Sequence, residues 1–132
     1  KETAMVENPE KTIEIFSELK KLGIKVYIDN FGTGFSSLNV LKDFIADGIK
    51  MDTSFLTESK VSGKNKIILQ TMISMSNTLG MEFIAKGVES ENQMLALSKM
   101  DCKLFQGFYF STPLPVKTYE AKYLQNSSQA KK

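Results

Sequence analysis

The sequence predicts an α/β fold of four parallel strands joined by crossover helices, amounting to half of a (β/α)8 barrel. Three observations predict it. Helix-type and strand-type segments alternate along the 132 residues in the order αβαβαβαβα, which favours parallel strands connected by helices. Each strand-type run finishes on polar residues: Asp29 and Asn30, Lys50 and Asp52, Lys86 and Glu89, and Gln106. A doubly wound sheet would need glycine-rich phosphate loops at one switch point, whereas polar strand ends recurring along the sheet suit a barrel with its site at the strand C-termini. A whole (β/α)8 barrel typically needs about 250 residues, so four strands make half of one.

Asn8-Pro9-Glu10 opens the first helix. Asn serves as N-cap, Pro sits where its missing N–H costs nothing, and Glu complements the helix dipole. Ile13, Phe16, Leu19 and Leu22 form an apolar stripe and Gly23 is placed to stop the helix. A strand over residues 25–30 follows, ending in the glycine-spaced turn Phe31-Gly32-Thr33-Gly34, so that Asp29 stands where strand meets loop. Ser36 or Ser37 caps a short helix containing Leu38 and Leu41, ahead of a second strand at 48–52.

Residues 53–63 read as a loop, and Ile67, Ile68, Met72, Met75 and Leu79 mark a helix over 64–79 closed by Gly80. The third strand comes directly after. Ser90-Glu91-Asn92-Gln93 has the form of a capping box, opening a helix with Leu95 and Leu97 that ends near Met100. A fourth strand occupies 103–106, Pro113 and Pro115 break the pattern, and a last helix spans 116–124. The polar tail, 126–132, is expected to be disordered. Met72, Met75 and the phenylalanines are expected in the core.

Composition narrows the chemistry. Lys and Arg number 17 against 15 Asp and Glu, and the lysines are scattered, so neither a nucleic-acid polymer nor an anionic membrane is expected as partner. Histidine is absent, which removes the commonest general base and transition-metal ligand and leaves carboxylate and lysine chemistry. The single cysteine, Cys102, can form no internal disulfide and suits a reducing, cytoplasmic setting. No run approaches the roughly 18 apolar residues of a membrane span.

The polar strand ends carry a family resemblance. Asp29-Asn30-Phe31-Gly32-Thr33-Gly34-Phe35-Ser36-Ser37-Leu38 resembles the DDFGTGxSSL motif of the EAL domain, Lys50-Met51-Asp52 its KID, Ala85-Lys86-Gly87-Val88-Glu89 its AEGVE and Gln106-Gly107 its QG. Ser111-Thr112-Pro113-Leu114 looks like its closing S-x-P-L, and Glu2 like the end of its E-x-T-E motif. The chain is thus similar to the C-terminal half of an EAL domain, the bacterial family of cyclic di-GMP phosphodiesterases. The resemblance implies an EAL-type TIM half-barrel over residues 1–125. The E-A-L signature itself would precede Lys1 in a longer protein, or be absent from a gene encoding the second half alone.

The family reaction opens one phosphodiester of cyclic di-GMP to give the linear dinucleotide, with two Mg²⁺ or Mn²⁺ ions held by carboxylates. By resemblance Asp29 would be a metal ligand. Lys50, Gln106 and Glu89 would be the catalytic residues, Lys50 and Gln106 also facing the ligand, and Asp52 would support them. Two positions depart from the pattern: Asn30 stands where the family has a second metal-binding aspartate, and Lys86 where it has a glutamate. The two changes make the site more positive by three formal charges. An ammonium about 4 Å from a divalent ion is repelled by up to about 8 kcal/mol at an effective dielectric of about 20. Lys86 is therefore expected to pair with Asp29 as a structural counter-ion, with no Mg²⁺ or Mn²⁺ bound.

Three readings follow from the resemblance. The preferred one is a catalytically degenerate EAL module acting as a cyclic di-GMP receptor or through protein contacts. The alternative is a working phosphodiesterase whose N-terminal half lies outside this chain, and the third a structural remnant. The half alone is expected to bind the dinucleotide weakly. Its open sheet edges and apolar surface predict self-association.

Overall fold

A computed structural model describes residues 8–32, 41, 46–51, 53–56 and 63–124. Helix α1 spans Pro9–Lys21, with Glu10 in its first turn and Lys20 and Lys21 in its last, each sign complementing the dipole. The expected cap is present, as Asn8 Oδ1 accepts from the Lys11 N–H at 3.2 Å. The apolar stripe is narrower than the spacing suggests: Phe16 packs on the core, whereas Ile13 is exposed and Leu22 is 75% exposed.

Strands β1 (Tyr27–Phe31), β2 (Gly48–Met51), β3 (Glu82–Lys86) and β4 (Leu104–Gln106) form one sheet. All neighbours are parallel and the spatial order is β1-β2-β3-β4, the order in the chain. That order never reverses, so no switch point of the doubly wound kind exists among the described residues, and the sheet advances as a barrel sheet does. Helix α2 (Gly63–Thr78) and helix α3 (Glu91–Ser98) supply the crossovers before β3 and β4. Helix α4 (Val116–Tyr119) runs on into a π-helical turn over Glu120–Leu124. The short helix expected after Ser37 falls largely outside the described residues, although Leu41 is helical and packs on the core. Asp52 and the tail 126–132 also lie outside them.

One face of the sheet carries the core. Ile28, Phe31, Ile49, Met51, Phe83 and Ala85 are buried there against Leu69, Met72 and Ile73 of α2 and Leu97 of α3. The face of α2 differs from the expected one. Leu69, Met72, Ile73 and Ser76 are buried, while Ile67 is 67% exposed and Ile68 and Leu79 are exposed too. Apolar residues surround more than one stripe of this helix, so a 3.6-residue period permits either face and packing on the sheet chooses. Ser76 is tolerated inside because its hydroxyl donates to the Met72 carbonyl at 2.9 Å. Phe108, 66% exposed, and Phe110 lie in the turn beyond β4 and are not core, contrary to expectation. Among the described residues no helix is long and apolar enough to cross a membrane.

The opposite face is polar, and among the described residues no helix covers it. Tyr27, Asp29, Lys50, Glu82, Ile84, Lys86 and Gln106 stand on it, half-buried or exposed. At its N-terminal end the Tyr27 hydroxyl donates to Glu82, which also pairs with Lys25 at 2.6 Å. Gly48 between them permits this, since a Cβ there would lie 2.4 Å from the Glu82 carbonyl oxygen and 2.7 Å from the Tyr27 ring.

The hydrogen bonds from Lys25 and then Tyr27 hold the Glu82 carboxyl below its ordinary value of 4.5. A carboxyl whose folded pKa is depressed adds stability above its unfolded pKa and loses it as pH falls through the folded value. Glu82→Gln is therefore expected to lower the melting temperature at neutral pH. The difference from the unaltered chain should shrink as pH falls through the folded pKa of Glu82 and vanish once both forms carry a neutral side chain. Thermal melts across that range check it, and a gap that persisted undiminished in acid would contradict it.

Candidate functional site

The C-terminal ends of the strands are shaped by a bulge. β1 and β2 pair at Tyr27↔Gly48 and Ile28↔Ile49, but the next pair is Phe31↔Met51, so β1 uses one residue more than β2. Asn30 takes up the difference with φ of +56°, a left-handed value that asparagine tolerates better than most residues. In a regular strand Asp29 and Asn30 would point to opposite faces. The bulge instead brings both side chains to the polar face and returns Phe31 to the core, 3% exposed. Asp29 thus lies inside β1, not at its junction with a loop as the sequence suggests.

Lys86 is the last residue of β3 and reaches past β2 to β1. Its Nζ lies 2.6 Å from Asp29 Oδ1 and donates to Asn30 Oδ1 at 2.7 Å. The Asn30 backbone N–H adds a bond to Asp29 Oδ1 at 3.0 Å. The Lys86 hydrogen bond is the main reason the Asp29 carboxyl sits below its usual range. Burial opposes it, and the Asn30 N–H and the charge on Lys50 reinforce it. The side chains of Lys86 and Asp29 are 20% and 41% exposed, so the pair is reachable from the uncovered face.

The structure brings Asp29, Asn30 and Lys86 together and places Lys50 and Gln106 on the same face. Lys50 pairs with Ile84, two residues before Lys86, and Lys86 pairs with Gln106. Glu89 is not drawn in: it is exposed, and its carboxylate makes no hydrogen bond or ion pair with a described residue. Its backbone is nevertheless fixed. Gln93 Oε1 accepts from the N–H groups of Glu89 at 2.8 Å and Ser90 at 3.1 Å, while Ser90 Oγ accepts from Gln93 N–H at 3.3 Å. These last two contacts are the expected capping box.

Neither the bulge nor the Tyr27–Glu82–Lys25 cluster is foreseen from sequence. The signal for the bulge is the run Asp29-Asn30 followed by an apolar Phe31, which breaks strict alternation. As for a metal, the Oδ1 atoms of Asp29 and Asn30 that could serve as ligands both accept from an ammonium. A hard cation sits about 2.0–2.6 Å from its oxygen ligands, so it would compete with Nζ for the same lone pairs beside a single negative charge. In this arrangement a divalent cation at these two Oδ1 atoms would have to displace the Lys86 ammonium.

Comparison with known proteins decides the family, because residues 1–113 match the EAL domain. This chain belongs to the EAL domain family. It is 38% identical over 119 residues to the cyclic di-GMP phosphodiesterase NbdA of Pseudomonas aeruginosa, an alignment covering 90% of this EAL chain and 15% of NbdA. The EAL domain of Mycobacterium smegmatis DcpA matches its fold with a TM-score of 0.82 at 31% identity, over 89% of this chain and 53% of that one. Klebsiella pneumoniae BlrP1, solved as a manganese and cyclic di-GMP complex, matches with a TM-score of 0.77 at 31% identity, over 83% of this chain and 28% of its own. The four parallel strands and their helices are therefore part of an EAL TIM barrel, about half of the DcpA domain, and a small part of the curated relative's length.

Proposed function

We propose that this EAL chain is a cyclic di-GMP signalling module that binds the dinucleotide and does not hydrolyse it, working in the cytoplasm. One observation carries the reading: the Lys86 ammonium is bound between Asp29 Oδ1 and Asn30 Oδ1, where divalent-ion catalysis would need free oxygen ligands. In this reading Asp29 is the partner of Lys86 in place of a metal ligand. Lys50 and Gln106 face the ligand. Without a metal to polarise the phosphodiester and generate hydroxide, the remaining groups attract and orient the nucleotide but supply no nucleophile.

The test is incubation of the chain with cyclic di-GMP and Mn²⁺ or Mg²⁺, followed by chromatography of the nucleotide. Intact cyclic di-GMP is the expected outcome. Metal-dependent appearance of the linear dinucleotide would overturn the reading in favour of a second one, a phosphodiesterase completed by strands outside this chain. Retention of Asp29, Lys50, Glu89 and Gln106 favours that second reading.

A further inference from the structure

We infer that Lys86 is itself a phosphodiester-binding residue, so that a cation built into β3 makes nucleotide binding independent of metal. The inference rests on the reading that the chain binds cyclic di-GMP without cleaving it.

Four features carry it. First, an ammonium has three N–H donors, and among the described residues two of them go to Asp29 and Asn30. Second, those bonds are short, at 2.6 and 2.7 Å, and fix a side chain that would otherwise lose its rotamer freedom on meeting a ligand. The ammonium is thus ordered before the anion arrives. Third, its partial exposure matters: at 20% it opens onto the uncovered face yet sits where surrounding protein lowers the local dielectric, which strengthens a charge-assisted bond.

Fourth, the charges match the ligand. Asp29, Lys50 and Lys86 together leave one positive charge, the complement of one phosphodiester anion. Lys50 stands on the neighbouring strand opposite Ile84, one diagonal step from Lys86. From there the flexible Lys50 side chain can close upon a phosphate already held at the ordered Lys86 ammonium. Gln106 flanks Lys86 on β4 and offers amide donors for a phosphate oxygen. A divalent ion added to the same groups would leave three positive charges against one phosphate, so metal and ligand do not cooperate here as they do at a carboxylate-lined site.

The experiment is equilibrium binding of cyclic di-GMP to the whole chain, in chelator and in Mn²⁺. The unaltered chain, Lys86→Met and Lys99→Met are compared, the last changing an exposed lysine at the end of α3. The unaltered chain should bind equally in both media. Lys86→Met should weaken binding at least about tenfold, the scale of one lost charge-assisted bond, and Lys99→Met should not change it. Equal affinity of a folded Lys86→Met chain would overturn the inference and leave the receptor reading standing. Failure of the unaltered chain to bind in chelator would overturn both. Should Lys86→Met not fold, as judged by circular dichroism, the unaltered chain labelled with ¹³C-lysine decides. The Lys86 Cε resonance should shift on adding the nucleotide, and an unmoved resonance during binding would overturn the inference.

Discussion

Asn30→Asp combined with Lys86→Glu is expected to turn the strand-end cluster into a divalent-cation site. Asparagine and aspartate both tolerate the left-handed conformation that Asn30 adopts at φ +56°, so the bulge should persist and keep both side chains on the polar face. The double variant would set three carboxylates where the unaltered chain has one carboxylate, one amide and one ammonium. Without metal their mutual repulsion lowers stability. With Mn²⁺ the repulsion becomes coordination, and at a hundred times the dissociation constant the linked stabilisation is about 2.7 kcal/mol. For a domain of this size that is a rise of roughly 10 °C in melting temperature. The unaltered chain should show no comparable rise. An equal response of the two chains to Mn²⁺ would mean that Asn30 and Lys86 do not govern metal occupancy.

Gly107→Ala is expected to cost about 3 kcal/mol or more of stability, because the clash is with backbone and no rotamer relieves it. A Cβ at Gly107 would lie 2.0 Å from the Val88 carbonyl oxygen and 2.4 Å from the Val88 nitrogen. Val88 is fully buried, its N–H donates to the Gln106 carbonyl at 3.1 Å, and its own carbonyl accepts from the Tyr109 N–H at 3.1 Å. Making room means pulling β4 from the loop after β3, which breaks both bonds and the Lys86↔Gln106 pairing. Urea denaturation measures the loss, and a change smaller than about 1 kcal/mol would contradict the tight junction. Gly107 therefore serves the site by holding Gln106 beside Lys86.

Local chemistry was the legible part of this fold. Asn8 and the Ser90–Gln93 box act on backbone groups three residues away, and Gly23 and Gly80 take the positive φ values of helix ends. Such interactions need no knowledge of the rest of the chain. The alternation of elements likewise suffices for four parallel strands. What depends on packing was less legible. The face α2 buries differs from the one the spacing suggests because Ile67 and Ile68 are as apolar as Leu69 and Ile73, and only the sheet beneath decides among them.

The phenylalanines show the same limit, since composition cannot distinguish Phe83 in a strand from Phe108 in a turn beyond one. The bulge at Asn30 is the most consequential omission. It converts two consecutive residues from opposite faces to one, and so gives Lys86 two oxygens instead of one. The pairing of Lys86 with Asp29 follows from charge and is visible in the motifs, but the part played by Asn30 follows from backbone geometry alone.

Lys86 as the resident cation of the strand ends is tested most directly by titrating the unaltered chain with Mn²⁺ and following the free-ion signal by electron paramagnetic resonance. The Lys86–Asp29–Asn30 arrangement predicts that the signal rises as it does in buffer, with no stoichiometric site in the micromolar range. Loss of one or two equivalents of free Mn²⁺ per chain at micromolar concentration would contradict it, because a divalent ion would then hold the place assigned to the ammonium.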